Sequence, residues 1–346
     1  MDKRIAMLGF LVLGLRLSIG SVTEAASQDK VVLPATGSPM TPEWKQYNEQ
    51  AEARGAPLLK YVVTAKEMTP TKGREPKEIQ DTFSPTDDRL YVYTAWVNVK
   101  ERSKNEIRIY DPRGVVFYGA ERVYQFATER WTIRDPLYIR GWPAARLPGK
   151  WQAQIFMDGI LAKTKEFAIG SETRRYERRA MKEGGLAIGV YPIFVDAESR
   201  YGITFRTNAS LMPLYISQML TIDFEDHRVV MPFQLRRGIV NPKVKYDDVE
   251  KFLIQEVKSP DSEWNAMIKK HKLDLVIAGK AYDSATLEEE KEATIYVINT
   301  KTKDIKEIKA SYKSHRGSDR TDLQVRANFY QEVYNQIVKQ GADALK

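Results

Sequence analysis

The segment Leu273–Asp283 constrains the fold more than any other part of the sequence. It reads LDLVIAGKAYD, a mostly apolar run interrupted by one glycine. A helix pattern precedes it and ends in Lys269, Lys270, His271 and Lys272. Cations favour the carboxyl end of a helix, and an apolar run of this length after it is typical of a strand buried on both faces. A second such run, Leu186–Asp196, reads LAIGVYPIFVD, so the pair predicts a sheet covered by helices on both faces.

Residues 57–170 follow a different pattern, with a period of two. Short β-rich runs occur at Glu106–Tyr110, Val115–Tyr118 and Trp151–Met157, after the alternation of Leu90, Val92, Thr94 and Trp96. Asp158-Gly159 predicts a two-residue hairpin turn, because both positions accept positive φ. Several short strands joined by turns are typical of a β-sandwich. The segment Leu147–Ile169 resembles the last hairpin of bacterial immunoglobulin-like domains.

Four tryptophans fall in this region: Trp96, Trp131, Trp142 and Trp151. Gathered on the surface, they would form a platform on which a carbohydrate ring could stack. Buried, they would fill the sandwich core or close its ends. The second interpretation is favoured, because large aromatic side chains dominate protein cores.

The chain has 346 residues, which exceeds one ordinary core and suits two domains. The predicted fold class is an N-terminal all-β immunoglobulin-like sandwich followed by a C-terminal α/β domain, a mixed sheet covered by helices. The predicted divisions are a signal peptide (1–25), a polar leader (26–56), the sandwich (57–170), a basic linker (171–185) and the mixed α/β domain (186–346). In the leader, Thr41 followed by Pro42 predicts a short helix to about Ala53, which would be stopped by Gly55 and dock on the sandwich.

The first segment predicts export. Lys3 and Arg4 precede the apolar run Ile5–Leu15, and small residues follow at Ala25 and Ala26. This order is typical of a secretory signal, with cleavage expected after Ala25 or Ala26; a short uncleaved anchor is the alternative. The sequence contains no cysteine, so disulfides, thiolate chemistry and a lipid-modified amino-terminal cysteine are excluded. A periplasmic or secreted location is predicted.

Helices and strands alternate from Leu186 onward. The predicted elements are a strand at 186–195 followed by an irregular loop, a helix at Leu211–Ile222, a strand at Arg228–Phe233, a helix at Asp247–Val257, a helix starting at Ser259-Pro260, the strand at 273–281, a hairpin of Ala293–Asn299 with Ile305–Tyr312, and a last helix from near Asp322 that Gly341 stops. The last helix is predicted to turn Phe329, Tyr330, Val333, Tyr334 and Ile337 inward.

This element order resembles a group of periplasmic domains. The group comprises the curli secretion lipoprotein, the amino-terminal domain of TolB, and the outer-membrane lipoprotein activators of penicillin-binding proteins. The matching features are the strand Ile188–Phe194, the helix Leu214–Ile222 that leads past His227, the run Leu273–Gly279 and the strand after Val297–Thr302. The resemblance implies a non-catalytic domain that binds proteins or supports envelope machinery. The charged hairpin at 293–312 argues against a membrane pore, and the lack of cysteine argues against a lipid anchor.

No catalytic, cofactor or metal site is predicted. His227, His271 and His315 lack a paired-ligand spacing and are interpreted as structural, with a cationic His271 suited to its helix end. The segment Ser314–Asp319 contains Ser, His and Asp, but triads are assembled in space and a polar loop explains the cluster better. Arg174, Arg175, Arg178 and Arg179 are the candidate contacts for an anionic partner; a solvated linker helix is the alternative.

The net charge of +8 is spread along the chain among 46 acidic residues, which favours a merely soluble basic protein. The export signal argues against a nucleic-acid partner. The function predicted is an exported, periplasmic, non-catalytic protein-binding or assembly factor of the cell envelope. Its partners would be envelope proteins, and self-association stays open. The alternative is an envelope hydrolase whose catalytic residues the sequence does not identify.

Overall fold

The computed structural model describes residues 41–69, 75–171, 185–198, 204–208, 211–235, 248–282, 290–313 and 322–345. Its first element is the helix α1, Pro42–Ala53, as the sequence predicts. Thr41 caps the helix by accepting a hydrogen bond from the Trp44 N–H, and Pro42 lies in the first turn. Both residues favour a helix start, because the cap satisfies a free N–H and the proline needs none. Gly55, at φ +61°, follows the end of the helix.

Nine strands follow α1 and form two sheets. They are β1 (Leu58–Met68), β2 (Pro76–Ile79), β3 (Thr82–Phe83), β4 (Arg89–Val99), β5 (Lys104–Tyr110), β6 (Val116–Val123), β7 (Thr128–Tyr138), β8 (Gly149–Met157) and β9 (Ile160–Ile169). One sheet has the order β2-β1-β4-β7 and the other β3-β9-β8-β5-β6. Their inner faces share one core with the buried side of α1. The predicted Asp158-Gly159 turn joins β8 to β9, and both residues have positive φ.

A third sheet dominates the rest of the chain. Its elements are β10 (Ala187–Glu198), β11 (Thr204–Asn208), α2 (Leu211–Asp223), β12 (Arg228–Val230), α3 (Val249–Lys258), α4 (Glu263–His271), β13 (Leu275–Tyr282), β14 (Glu290–Asn299), β15 (Ile305–Lys313) and α5 (Asp322–Leu345). The strand order is β11-β10-β13-β14-β15, and β12 pairs with the first residues of β10. Strands β10 and β13 are parallel neighbours.

The central strand β13 is covered on both faces, as predicted. Leu275 and Ile277 belong to a core that includes residues of α2 and α5. Val276 and Ala278 face the opposite way, into a core that includes residues of α3 and α4. Successive side chains of a strand alternate between faces, so each helix pair buries every second residue.

The predicted fold class is wrong in treating an all-β domain as distinct from an α/β domain. The structure is mixed α/β, with three sheets and five helices among its described residues, and residues 37–346 form one compact unit. Helix α1 is part of the first core. Trp142 follows β7 yet lies in the core of α2 and α5, with its ring centroid 5.4 Å from that of Tyr215 and 5.9 Å from that of Tyr330. Packing of this kind crosses the expected boundary and cannot be read from strand periodicity.

Several element ends also differ from prediction. Strand β12 stops at Val230 and a short 3-10 helix, Pro232–Leu235, follows. Helix α4 starts at Glu263, because Ser262 caps it by accepting from the Asn265 N–H, whereas Ser259 is the C-cap of α3. The irregular loop expected after 195 contains the end of β10 and all of β11.

Helix α5 does not end at Gly341. A glycine inside a helix costs about 1 kcal/mol relative to alanine. Burial of the Leu345 side chain, which is 2% exposed, contributes about 2 kcal/mol. The helix therefore continues to Leu345, whose carbonyl also lies 2.9 Å from Nε2 of His227. None of the described helices is both long and apolar enough to cross a membrane.

Candidate functional site

A polar cleft of about 310 Å³ lies where the turn between β5 and β6 meets the end of α2. We call it the junction cleft. It is lined by Tyr110, Arg113, Gly114, Val115, Val116, Thr221, Glu225, His227, Arg228, Val229, Val230, Gln234 and His271. The lining therefore comes from both halves of the chain.

Asp111 and Arg113 build the upper wall of the junction cleft. The Gly114 N–H donates to the Asp111 carbonyl at 2.8 Å and closes the turn Asp111-Pro112-Arg113-Gly114. The carboxylate of Asp111 accepts from Nε of Arg113 at 2.9 Å and from Nη2 at 2.6 Å, and both side chains are buried. Burial raises the pKa of Asp111, although the Arg113 guanidinium opposes the rise. Nη1 of Arg113 donates to the Thr221 carbonyl at 3.1 Å, which ties the turn to the end of α2.

Two histidines and Arg228 form the opposite wall. His227 connects two chain segments, since its Nδ1 accepts from the Leu186 N–H at 3.4 Å and its Nε2 lies 2.9 Å from the Leu345 carbonyl. Arg228 donates to the backbone carbonyl of His271. Nε2 of His271 is buried without a hydrogen-bond partner.

The surroundings of His271 disfavour its charged form. Burial lowers the pKa of His271, and the positive charges of Lys270 and Arg228 lower it further. A backbone hydrogen bond with Gln234 acts in the opposite direction without reversing the shift. The neutral form of the ring is therefore favoured, and the cations in the last turn of α4 are Lys269 and Lys270. Desolvation outweighs the favourable helix dipole.

Arg113 holds the two halves of the chain together at the junction cleft. Its guanidinium contacts Asp111, Glu225 and the Thr221 carbonyl, and the Thr221 hydroxyl donates to the Ser217 carbonyl within α2. Nearby, Gln218 donates to the Phe117 carbonyl at 3.0 Å from a buried position. Within the described ranges, no group of three or more His, Asp or Glu side chains could hold a metal ion. The geometry fits a structural clamp better than a reaction centre.

Several residues singled out in the sequence lie outside the described residues. They are the candidate anion contacts Arg174, Arg175, Arg178 and Arg179, the segment 314–319 with His315, and the export signal at 1–26. Their assignments remain predictions.

The tryptophans behave largely as the core interpretation predicts. Trp96, Trp142 and Trp151 are buried. Trp131 differs, because 40% of it is exposed and its ring packs edge-on against Tyr124 with a centroid distance of 4.5 Å. A four-tryptophan carbohydrate platform is therefore absent from this part of the structure.

Trp131 belongs to the most exposed apolar surface among the described residues. Val123 is 48% exposed, Phe126 81% and Trp131 40%, and these are the large hydrophobic side chains exposed in the described part of the chain. The three residues lie within nine positions of the sequence: Val123 ends β6, Phe126 lies between the two strands, and Trp131 belongs to β7. We call this surface the β6–β7 tip.

Charged side chains of both signs surround the β6–β7 tip. The Arg102 N–H donates to the Tyr124 carbonyl, and Lys104 pairs with Val123 in the β5–β6 register. Lys104 also forms an ion pair of 2.7 Å with Glu121. The turns and strand ends next to the tip carry four cations and three anions: Lys100, Arg102, Lys104, Arg130, Glu101, Glu121 and Glu129.

Sequence reasoning did not single out Val123 or Phe126. One feature of the sequence could have indicated an exposed aromatic residue: Phe126 lies between two strands, close to the polar residues Gln125 and Thr128. Such a residue in a turn has no core to enter, because the chain there runs from one sheet to the other.

Comparisons with known proteins give weak likenesses only. No protein-family model matches the chain, and no curated protein matches it. The LpoB C-terminal domain from Salmonella enterica is 10% identical, with a TM-score of 0.23 over 38% of this chain and 84% of that chain. The PelC dodecamer from Paraburkholderia phytofirmans is 13% identical, with a TM-score of 0.26 over 44% of this chain and 86% of that chain.

The LpoB C-terminal domain from Escherichia coli is similar too, at 10% identity and a TM-score of 0.22 over 39% of this chain and 90% of that chain. With TM-scores below 0.5, these likenesses support no functional conclusion.

Proposed function

We propose that this chain is an exported, non-catalytic protein-binding or assembly factor of the cell envelope. The observation that carries the proposal is the β6–β7 tip, with Phe126 81% exposed beside the half-exposed Trp131. Clustered apolar side chains with a polar rim mark interaction surfaces, and aromatic residues dominate binding energy at protein interfaces.

The rim favours a protein partner over a lipid surface. An anionic membrane attracts a surface with a net positive charge. Around the β6–β7 tip, four cations are nearly balanced by three anions, and Arg102 lies 3.8 Å from Glu101. An apolar centre with a balanced polar rim is the usual arrangement of a protein–protein interface.

The envelope location rests on the amino-terminal segment. Lys3 and Arg4, the apolar run Ile5–Leu15 and Ala25-Ala26 support export and cleavage. Mass spectrometry of the mature protein should find its first residue near Ala26 or Ser27. An intact Met1 in the cytoplasmic fraction would remove the envelope from the proposal.

Site-specific photo-crosslinking tests the binding role. A photoreactive residue at position 126 should form a discrete crosslinked species with an envelope protein in cells that make this chain natively. The same residue at position 269, exposed on α4, is the matched control and should not. Phe126→Ser should abolish capture by a photoreactive residue at 131. Equal patterns at positions 126 and 269 would refute a contact role for the tip.

The four arginines at 174–179 are proposed as an additional anionic contact. Changing Arg174, Arg175, Arg178 and Arg179 to serine should reduce retention in the membrane fraction. Added salt should have the same effect, because charges are screened beyond about 10 Å at roughly 0.1 M salt. Retention that responds to neither change would exclude these arginines.

A further inference from the structure

Strand β15 is the last strand of the six-stranded sheet. Its nine residues, Ile305–Lys313, pair with β14 in register from Lys313 with Glu290 to Ile305 with Ile298. Among the described residues, no strand pairs with its other side. An edge strand presents a row of unpaired N–H and C=O groups that can hydrogen-bond to another strand.

The two faces of β15 differ in chemistry. Ile308 and Ala310 are buried in the core that includes α5. Glu307 and Lys309 alternate with them and so lie on the other face, with side chains 42% and 79% exposed. Their present ion pair of 3.1 Å lies within one strand and is exposed, so it contributes little. Both groups are available to a neighbour.

We propose that β15 pairs antiparallel with β15 of a second copy of this chain, around a twofold axis at Ile308. A twofold axis in this position preserves both faces of the sheet and makes the contact self-complementary. Glu307 then lies opposite Lys309 of the second copy, and Lys309 lies opposite its Glu307. Ile305 lies opposite Ser311 and Lys306 opposite Ala310. The result is a continuous twelve-strand sheet built from two six-strand sheets.

The charges select this register over its nearest neighbours. An axis at Glu307 would oppose two carboxylates, and an axis at Lys309 would oppose two ammonium groups. Directly opposed like charges destabilise strand pairing, whereas opposite charges stabilise it. Lysines on an edge commonly prevent pairing with other strands. With the axis at Ile308, Lys309 has an acidic partner. With the axis at Glu307 or Lys309, like charges meet, so Lys309 and Glu307 favour the Ile308 register alone.

Charge reversal tests the proposal on the full chain. Light-scattering mass measured across a range of concentrations should give a dimer for the parent protein. Lys309→Glu places carboxylates opposite each other twice and should raise the dimer dissociation constant about tenfold or more. Lys150→Glu makes the same charge change on the exposed face of β8, away from any edge, and should leave the mass profile unchanged.

Compensation makes the test specific. The double variant Glu307→Lys with Lys309→Glu restores both opposite pairs and should recover the parent dimer. A mixture of the Glu307→Lys and Lys309→Glu single variants should form a heterodimer that neither forms alone. A parent protein that stays monomeric, or a double variant that stays as weak as Lys309→Glu, would overturn the proposal. Loss of the dimer with Lys313→Glu and not with Lys309→Glu would also overturn it, by indicating an axis at Ala310.

Discussion

From α1 to β9, the chain buries five charged residues, Asp111, Arg113, Asp135, Lys163 and Lys165, each less than a tenth exposed. From β10 to α5, Lys291 is the one charged residue that the described positions bury to that degree. The difference follows from how the sheets are covered. In the first half, strands at sheet edges and turns let a charged side chain reach a partner, as Arg122 of β6 reaches Asp135 of β7 at 2.6 Å. In the second half, helices cover β13 on both faces and leave only apolar contacts.

This contrast indicates two ways to specify a core. Ion pairs between the edge strands of two sheets fix how those strands face each other. They add little stability compared with apolar side chains in the same places. Continuous apolar burial stabilises strongly but penalises a charge that has no partner. Substitutions that add or remove charge should therefore act differently in the two halves.

The largest effect is expected where a charge enters the second half. Ile277 is fully buried, and Ile277→Asp would place a carboxyl group in an apolar core without a partner. We expect a loss of about 4 kcal/mol or more in urea unfolding. Ile277→Val is the matched control, with an expected loss of about 1 kcal/mol. Unchanged unfolding of the aspartate variant would show that β13 is not buried on this face.

The next effect is expected where a charge leaves the first half. Asp111→Ala would leave the Arg113 guanidinium buried and unpaired, at a cost of about 3 kcal/mol. Replacing both residues, as Asp111→Ala with Arg113→Met, should recover most of that loss. A double-mutant cycle in urea unfolding measures the difference. Strictly additive losses would show that the two side chains do not interact.

A third test concerns backbone approach in β13. A Cβ atom on Gly279 would meet the Thr294 carbonyl oxygen and lie 3.0 Å from Cα of Ile295, so the neighbouring strand would have to move. We expect Gly279→Ala to cost about 2 kcal/mol. Gly119→Ala is the comparison in the first half, where the atoms in the way belong to the Phe233 side chain and can turn aside. A larger loss at Gly119 would reverse this expectation.

The smallest effect is a pH dependence at the junction cleft. The lowered pKa of His271 means that the unfolded chain binds a proton more readily than the folded chain. Stability from this group is complete above the unfolded pKa of about 6.5 and falls as the pH drops below it. His271→Gln should flatten the stability curve in that window. His227→Gln is the comparison, since both of its ring nitrogens have partners.

Local signals in the sequence predict much of the fold. Thr41 and Pro42 define the start of α1, and the apolar run around Val276 defines a strand covered on both faces, because capping and periodicity act over a few residues. The position of Trp142 in the second core depends on contacts with Tyr215 and Tyr330, far away in the sequence. Long-range packing of this kind explains why an all-β domain was predicted as separate.

The candidate surfaces were harder to predict. The junction cleft forms only when Arg113 meets Thr221, residues 108 positions apart. The β6–β7 tip depends on Phe126 lacking a core to enter, which strand periodicity does not reveal. His227 contacts Leu186 and Leu345 through its two ring nitrogens, and spacing in the sequence could not name either partner.

Helix α1 has a consequence for the order in which the chain assembles. The ammonium of Lys163 in β9 donates to the Thr41 hydroxyl at 2.8 Å and lies 5.6 Å from the Trp44 ring, across 122 residues of sequence. At 5–20 residues per second, about 6–24 s separate the synthesis of the two residues. Throughout that interval, Trp44 and Tyr47 have no finished sheet to cover them. The buried face of α1 therefore stays uncovered by β9 until most of this region has been made.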